Sequence, residues 1–164
     1  MAYTTYSSTT DRPVIISTWV VSILVIEAIL LVNNLSTQLF ITLFMGATYV
    51  CIYGNLPSEY RMNGATLTIV APFKKHTIAL KEIKQISLLN KKEQSGIIRT
   101  FGSSGIFGHW GYFYSRRLGK MQAYAKRNNP WILITLQGGK QYVIAPDNLD
   151  LFEDLKGKLL VKHI

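Results

Sequence analysis

"RTFGSSGIFGHWGYFYSRRLGK", residues Arg99 to Lys120, holds five glycines, six aromatic residues and four basic residues in 22 positions. Gly102, Gly105, Gly108 and Gly111 recur every three residues, with bulky side chains between them. Two readings of that spacing stand side by side. In one, the glycines let the backbone turn and pack closely, while Phe101, Ile106, Phe107 and Phe113 fill the open end of a β structure. In the other, the N–H groups of Gly102-Ser103-Ser104-Gly105 form a nest for an anion or lipid headgroup, with Arg99, Arg116, Arg117 and Lys120 nearby. Trp110, Tyr112 and Tyr114 supply a candidate interface at the level of lipid headgroups. A nucleotide loop does not fit, because neither Gly-Lys-Ser/Thr nor a βαβ unit accompanies these glycines.

The sequence ahead of this stretch is of another kind. "VIISTWVVSILVIEAILLV" (14–32) carries one charge, and "LSTQLFITLFMGATYVCIY" (35–53) carries none. Each run of 19 residues nearly crosses a hydrocarbon core of about 30 Å as a helix rising about 1.5 Å per residue. Asn33 and Asn34 between them predict a tight helical hairpin. A cleaved signal peptide fits poorly, since Arg12 is offset by Asp11 and a second apolar run follows at once. A buried hairpin would need more partner surface than the remaining chain offers. The lone cysteine, Cys51, lies within the second run and reads as a small hydrophobe.

Charge sets the expected topology. The interhelical turn is neutral, whereas 17 Lys or Arg residues against 7 Asp or Glu follow Tyr53, starting at Arg61. Positive segments are retained in the cytoplasm, so both termini are expected there, with Asn33–Asn34 outside. Glu27 is the one Asp, Glu, Lys or Arg residue within the spans. Gln38, Thr37 or Thr42 are its expected hydrogen-bond partners across the hairpin or between protomers, in a structural or oligomer-packing role.

Beyond Tyr53 the period changes. Residues 65–70, 76–80, 83–89, 97–101, 120–125, 131–136 and 141–145 read as short antiparallel strands separated by polar, glycine- or proline-containing turns, "NKKEQSG" among them. The end reads as an amphipathic helix, with Asp147 as its N-cap and Leu149, Phe152, Leu155 and Leu159 on one face. The expected organisation is an N-terminal tail (1–13), a two-span hairpin (14–53) and a β domain (54–164). That domain would be a partly open barrel of about seven strands capped by a helix.

Two spans followed by this pattern resemble the bacterial pleckstrin-homology-like membrane proteins. The features are Tyr60 to Val70 entering the first strand, "ALKEIKQI" (79–86), "YVIAPDNLDLF" (142–152) and, most specifically, "RTFGSSGIFGHWGYF" (99–113). Ala145 departs from the family, which has serine before the proline at this strand exit. The resemblance implies a PH-like fold and a binding or scaffolding role, without transferring catalytic residues or a ligand.

The remaining constellations are sparse. His76, His109 and His163 are scattered, so no metal cluster is expected. Ser103 or Ser104 beside His109 offers a serine–histidine pair for hydrolysis, without a nucleophile elbow. The acidic residues of the last helix suit capping and solvation. The basic doublets Lys74-Lys75, Lys91-Lys92 and Arg116-Arg117 lie in turns, where an anionic leaflet accounts for them as well as a nucleic acid would. The expectation is a non-enzymatic module of the bacterial inner membrane, without a cofactor or nucleic-acid partner, docking a protein. Anionic phospholipid is the alternative ligand, and pairing through the spans is an open option.

Overall fold

The computed structural model describes residues 3–161. The chain starts with a strand, β1 (Thr4–Ser7), and turns at Asp11 into helix α1 (Arg12–Leu30). Asp11 Oδ1 accepts from the Val14 N–H at 3.3 Å, and Pro13 suits the first turn, where its missing N–H has no partner to lose. Asn34 repeats the device for α2 (Leu35–Asn55), accepting from the Thr37 N–H at 3.0 Å. The helices have 19 and 21 residues, or about 28 and 32 Å of length. Both are long and apolar enough to cross a membrane. Their apolar side chains lie open on nearly every face, among them Ile16, Trp19, Leu24, Phe40, Leu43 and Phe44. Within the described chain they are hardly buried, unlike the core helices of a soluble domain.

Two sheets follow. The first contains β2 (Glu59–Met62), β3 (Thr66–Val70) and β4 (Lys75–Ala79), with β1 added beside β2 in an antiparallel order 1-2-3-4. After a 3-10 turn at Leu80–Glu82 comes β5 (Ile83–Leu89), a short helix α3 (Lys91–Ser95), β6 (Ile97–Ser104), β7 (His109–Ser115), β8 (Gly119–Ala125), β9 (Trp131–Leu136) and β10 (Gln141–Ala145). These strands form a six-stranded sheet ordered 5-9-10-8-7-6. Helix α4 (Asp150–Val161) closes the described chain.

The core lies between the sheets. Tyr60, Leu67, Ile69 and Ile78 meet Ile132, Ile134 and Ile144, and α4 presses Leu151 and Leu155 into the same volume. Alternation along Thr66–Val70 and the β-branched residues of β9 suit a pleated surface buried on one side or both. Tyr60 ties the sheets together: its hydroxyl donates to the Tyr124 carbonyl at 2.8 Å and accepts from the Ala145 N–H at 3.1 Å. A smaller cluster, including Phe113, Met121, Leu133 and Val143, occupies the opposite face of the six-stranded sheet.

The two apolar helices, the open β-rich domain and its C-terminal helix are as expected. Details change: the strands divide into two sheets, and β8 pairs with β10 in parallel rather than antiparallel. The tail is no free tail, because β1 supplies an edge strand whose Tyr6 is buried and donates to Asp154 on α4. Burial, reinforced by that carboxylate, pushes the Tyr6 hydroxyl up to about 12. Asp147 does not cap the last helix, which starts three residues later. Its Oδ1 instead accepts from Thr9 N–H and Oγ1 at 2.7 and 2.9 Å and from Arg127 Nη1 at 2.9 Å, fastening the tail to the domain. The polar loop at Lys91 holds a helical turn closed by a reciprocal Asn90–Glu93 capping box. The glycine-rich stretch is mostly strand, a hairpin of β6 and β7.

Candidate functional site

Register decides what β7 presents. His109, Gly111, Phe113 and Ser115 are buried, while Trp110, Tyr112 and Tyr114 emerge on the other side. Directly opposite them stand Ser103, Phe101 and Ile98 on β6, and Tyr124, Gln122 and Lys120 on β8. Tyr142 on β10 pairs with Gln122 and continues the same face. That face is the one that buries Ile132, Ile134 and Ile144 farther along the sheet. The first sheet covers only part of it. Beyond the cover, an apron of Ile98, Phe101, Tyr112 and Tyr114 stays open, at 61, 64, 55 and 36 % exposure. The Phe101 ring lies 6.4 Å from both Trp110 and Tyr112.

A trough separates the apron from β4. His76 on β4 lies 4.8 Å from the Tyr142 ring and 6.0 Å from that of Tyr124. Two adjoining cavities of about 420 and 410 Å3 share Gly138, Lys140 and Tyr142. One reaches His76 and Glu82, the other Tyr112, Lys120 and Gln122. Burial pushes the Tyr124 hydroxyl up to about 12 and raises that of Tyr142. Burial, then Lys74 and Lys140, lowers the pKa of His76. The rings are therefore neutral near pH 7, and Lys120, Lys140 and Glu82 carry the charge of the lining. The lining thus offers aromatic faces, hydroxyls, two cations and one carboxylate.

The structure divides the other sequence-predicted residues. Gly102 faces Gly111 across the β6–β7 hairpin, both with positive φ, where a Cβ on either would stand 2.1 or 2.3 Å from a facing carbonyl oxygen. Ser103 Oγ donates to the Ile106 carbonyl, and the Gly105 carbonyl accepts from Ser17 Oγ on α1 at 2.6 Å. Arg116 and Arg117 lie in the turn at the opposite end of β7, seven residues or about 20 Å away, and Lys120 is the second residue of the return strand. Arg99 pairs with Phe113, on the face away from the apron. The glycine turn and these basic residues are not brought together. Trp110, Tyr112 and Tyr114 are.

Phe101 and Phe107 fill no barrel end: Phe101 is exposed, and Phe107 reaches α2, with its ring edge-on to Tyr49 and Tyr53 at 5.4 and 5.9 Å. Glu27 is exposed on α1. Gln38 donates instead to the Ile29 carbonyl and Thr42 to the Gln38 carbonyl, while Thr37 bonds Asn34. Cys51 is an exposed free thiol on α2. Among the described residues no group of His, Cys, Asp and Glu could hold a metal; His163 lies outside them.

Ser104 Oγ and His109 Nδ1 do pair, at 3.0 Å, and His109 Nε2 lies 2.7 Å from Asn128 Oδ1. Behind the imidazole is thus an amide, which lends no full charge to an imidazolium. Asp11 Oδ2 accepts from the Asn128 N–H at 2.7 Å, so this chain links the hairpin to the start of α1. Burial lowers the His109 pKa. The arrangement joins elements and lacks the carboxylate that a hydrolytic triad would place there.

Gln122, Tyr124, Lys140 and Tyr142 are the members that sequence reading did not single out, and His76 is weighed there only as a metal ligand. Period 2 within a strand places Gln122 and Tyr124 on one face of β8; the parallel pairing that brings Tyr142 beside them leaves no local signal.

A family model described as Bacterial PH domain matches residues 58–159. The chain belongs to that family. Neither the curated proteins nor the solved structures contained a match.

Proposed function

We propose that the protein is a membrane-anchored docking module, which holds a PH-like domain at the cytoplasmic face of the bacterial inner membrane. Its partner is a protein that inserts an acidic segment in the Tyr142 trough and covers the aromatic apron. The contiguous exposure of Phe101, Tyr112 and Tyr114 beside Lys120 and Lys140 carries this reading, because open aromatic surface rimmed by polar groups marks interaction sites. The pairing of β1 with β2 keeps both ends of the hairpin on one side, and the basic domain favours the cytoplasm.

Location favours protein over headgroup. The hairpin tip at Gly105–Phe107 touches the spans, whereas Lys120 and Lys140 sit toward the other ends of β7, β8 and β10. A photoreactive residue at Tyr112 of the full-length protein in native membranes tests the reading, with position 99 on the opposite face as control. Discrete protein adducts from position 112 alone are expected. Lipid adducts or self-adducts alone would overturn it.

A further inference from the structure

The first turns of α1 and the tip of the β6–β7 hairpin enclose a groove of about 440 Å3, lined by Thr10, Ile15, Thr18, Trp19, Ser22 and Phe107. We propose that it seats one acyl chain of a phospholipid from the leaflet adjoining the domain, with the lipid phosphate at Arg12. The inference rests on the reading of α1 and α2 as membrane spans and is independent of the docking trough.

The first argument is the medium. Ile15, Ile16, Trp19 and Ile23 around the groove are 44–64 % exposed, so in a bilayer the groove opens onto acyl chains rather than water. The second is length. From Thr10 to Ser22 are twelve residues, about 18 Å along a helix, against about 15 Å for one leaflet's half of the hydrocarbon core. The third is charge. Arg12, Ile15, Trp19 and Ser22 follow each other at spacings of three, four and three and share one face of α1. Arg12 is exposed at the head of that face, where a guanidinium matches a phosphate.

The walls add a fourth argument. Thr18 Oγ1 donates to the Val14 carbonyl at 2.7 Å and accepts from the Phe107 N–H at 2.8 Å. Ser22 Oγ donates to the Thr18 carbonyl at 2.7 Å and lies 2.9 Å from the Tyr49 hydroxyl. Both hydroxyls have partners within the protein, so the inner groove asks for an apolar occupant. Phe107 forms a fixed wall: it is the one non-glycine residue with positive φ among those described, at 57°, held by Thr18 and by the rings of Tyr49 and Tyr53. A left-handed aromatic residue is costly and persists only where its surroundings impose it.

The test uses the full-length protein in nanodiscs of phosphatidylethanolamine and phosphatidylglycerol, doped with phosphatidylglycerol bearing a photoreactive acyl chain. Adducts are mapped by mass spectrometry, and the exposed Phe40–Phe44 face of α2 is the internal reference. Labelling concentrated on Thr10–Ser22 and Phe107 is expected. Arg12→Gln, which removes about 1 kcal/mol of attraction to an anionic lipid, would lower that labelling about fivefold, and Ile15→Trp would block it by filling the groove. Both positions are exposed, so neither change strips the core. Groove labelling equal to that of the α2 face and indifferent to both variants would overturn the inference alone. So would crosslinks from a photoreactive residue at Trp19 to a second copy of the chain. Release of the protein from membranes by alkaline carbonate would overturn the spanning reading and the inference with it.

Discussion

At the scale of the residue, function and fold meet in a few atoms around the hairpin. Gly102 and Gly111 face each other with φ of 103° and 117°, and no side chain fits between the strands there. Gly102→Ala is expected to cost about 2 kcal/mol or more, read as a lower thermal midpoint in detergent. His109 and His76 share another property: burial lowers both pKa values below the ordinary value of about 6.5. The unfolded chain then takes up protons that the folded one refuses. The stability they contribute is complete above about pH 6.5 and declines as the pH falls from there toward the folded pKa values. Thermal midpoints measured at pH 7.5 and 5.5 should therefore fall on acidification, and the fall should shrink in His109→Asn combined with His76→Asn. An equal fall in that double variant would assign the effect to the carboxylates.

At the scale of the element, the strands that alternate or run apolar could be read directly, as could both apolar helices with their Asp11 and Asn34 caps. The β6–β7 hairpin could not, because its glycines at positive φ look like loop residues one at a time. They become strand residues only when Gly102 and Gly111 are placed opposite each other. β1 was hidden for a different reason: four residues, Thr4–Ser7, carry too little pattern, and their place is set by distant partners, β2, Asp147 and Asp154. The apron residues on β7 were legible as aromatics, but the trough needed the parallel β8–β10 pairing, which brings together residues about twenty apart in sequence. Tyr60 is the residue through which the two sheets share hydrogen bonds. Tyr60→Phe strands the Ala145 N–H and leaves the Tyr124 carbonyl one donor short, at an expected cost of about 1–3 kcal/mol, measurable as a lowered midpoint with the sheet content unchanged by circular dichroism.

At the scale of the whole molecule, the chain is clasped at the foot of its spans. The tail folds back on the domain through β1 and Asp147, Asp11 joins α1 to Asn128, and the hairpin tip reaches α1 and α2 through Thr18, Tyr49 and Tyr53. Such a clasp fixes how the domain stands on its two helices and leaves the trough open. The proposed topology, with the domain in the cytoplasm, is tested by cysteine labelling. In a Cys51→Ser background, Asn33→Cys is expected to react with a membrane-impermeant maleimide in intact cells, and Gly138→Cys only after lysis. The reverse order would place the domain outside. The proposed docking rests on the charge and aromatic surface around Tyr142, so charge reversal probes it most directly. With the photoreactive residue at Tyr112 in native membranes, Lys120→Glu combined with Lys140→Glu should lower the yield of the protein adduct about tenfold or more, since each reversal turns an attraction to an acidic segment into a repulsion. An adduct undiminished by both reversals would contradict an acidic partner seated in the trough.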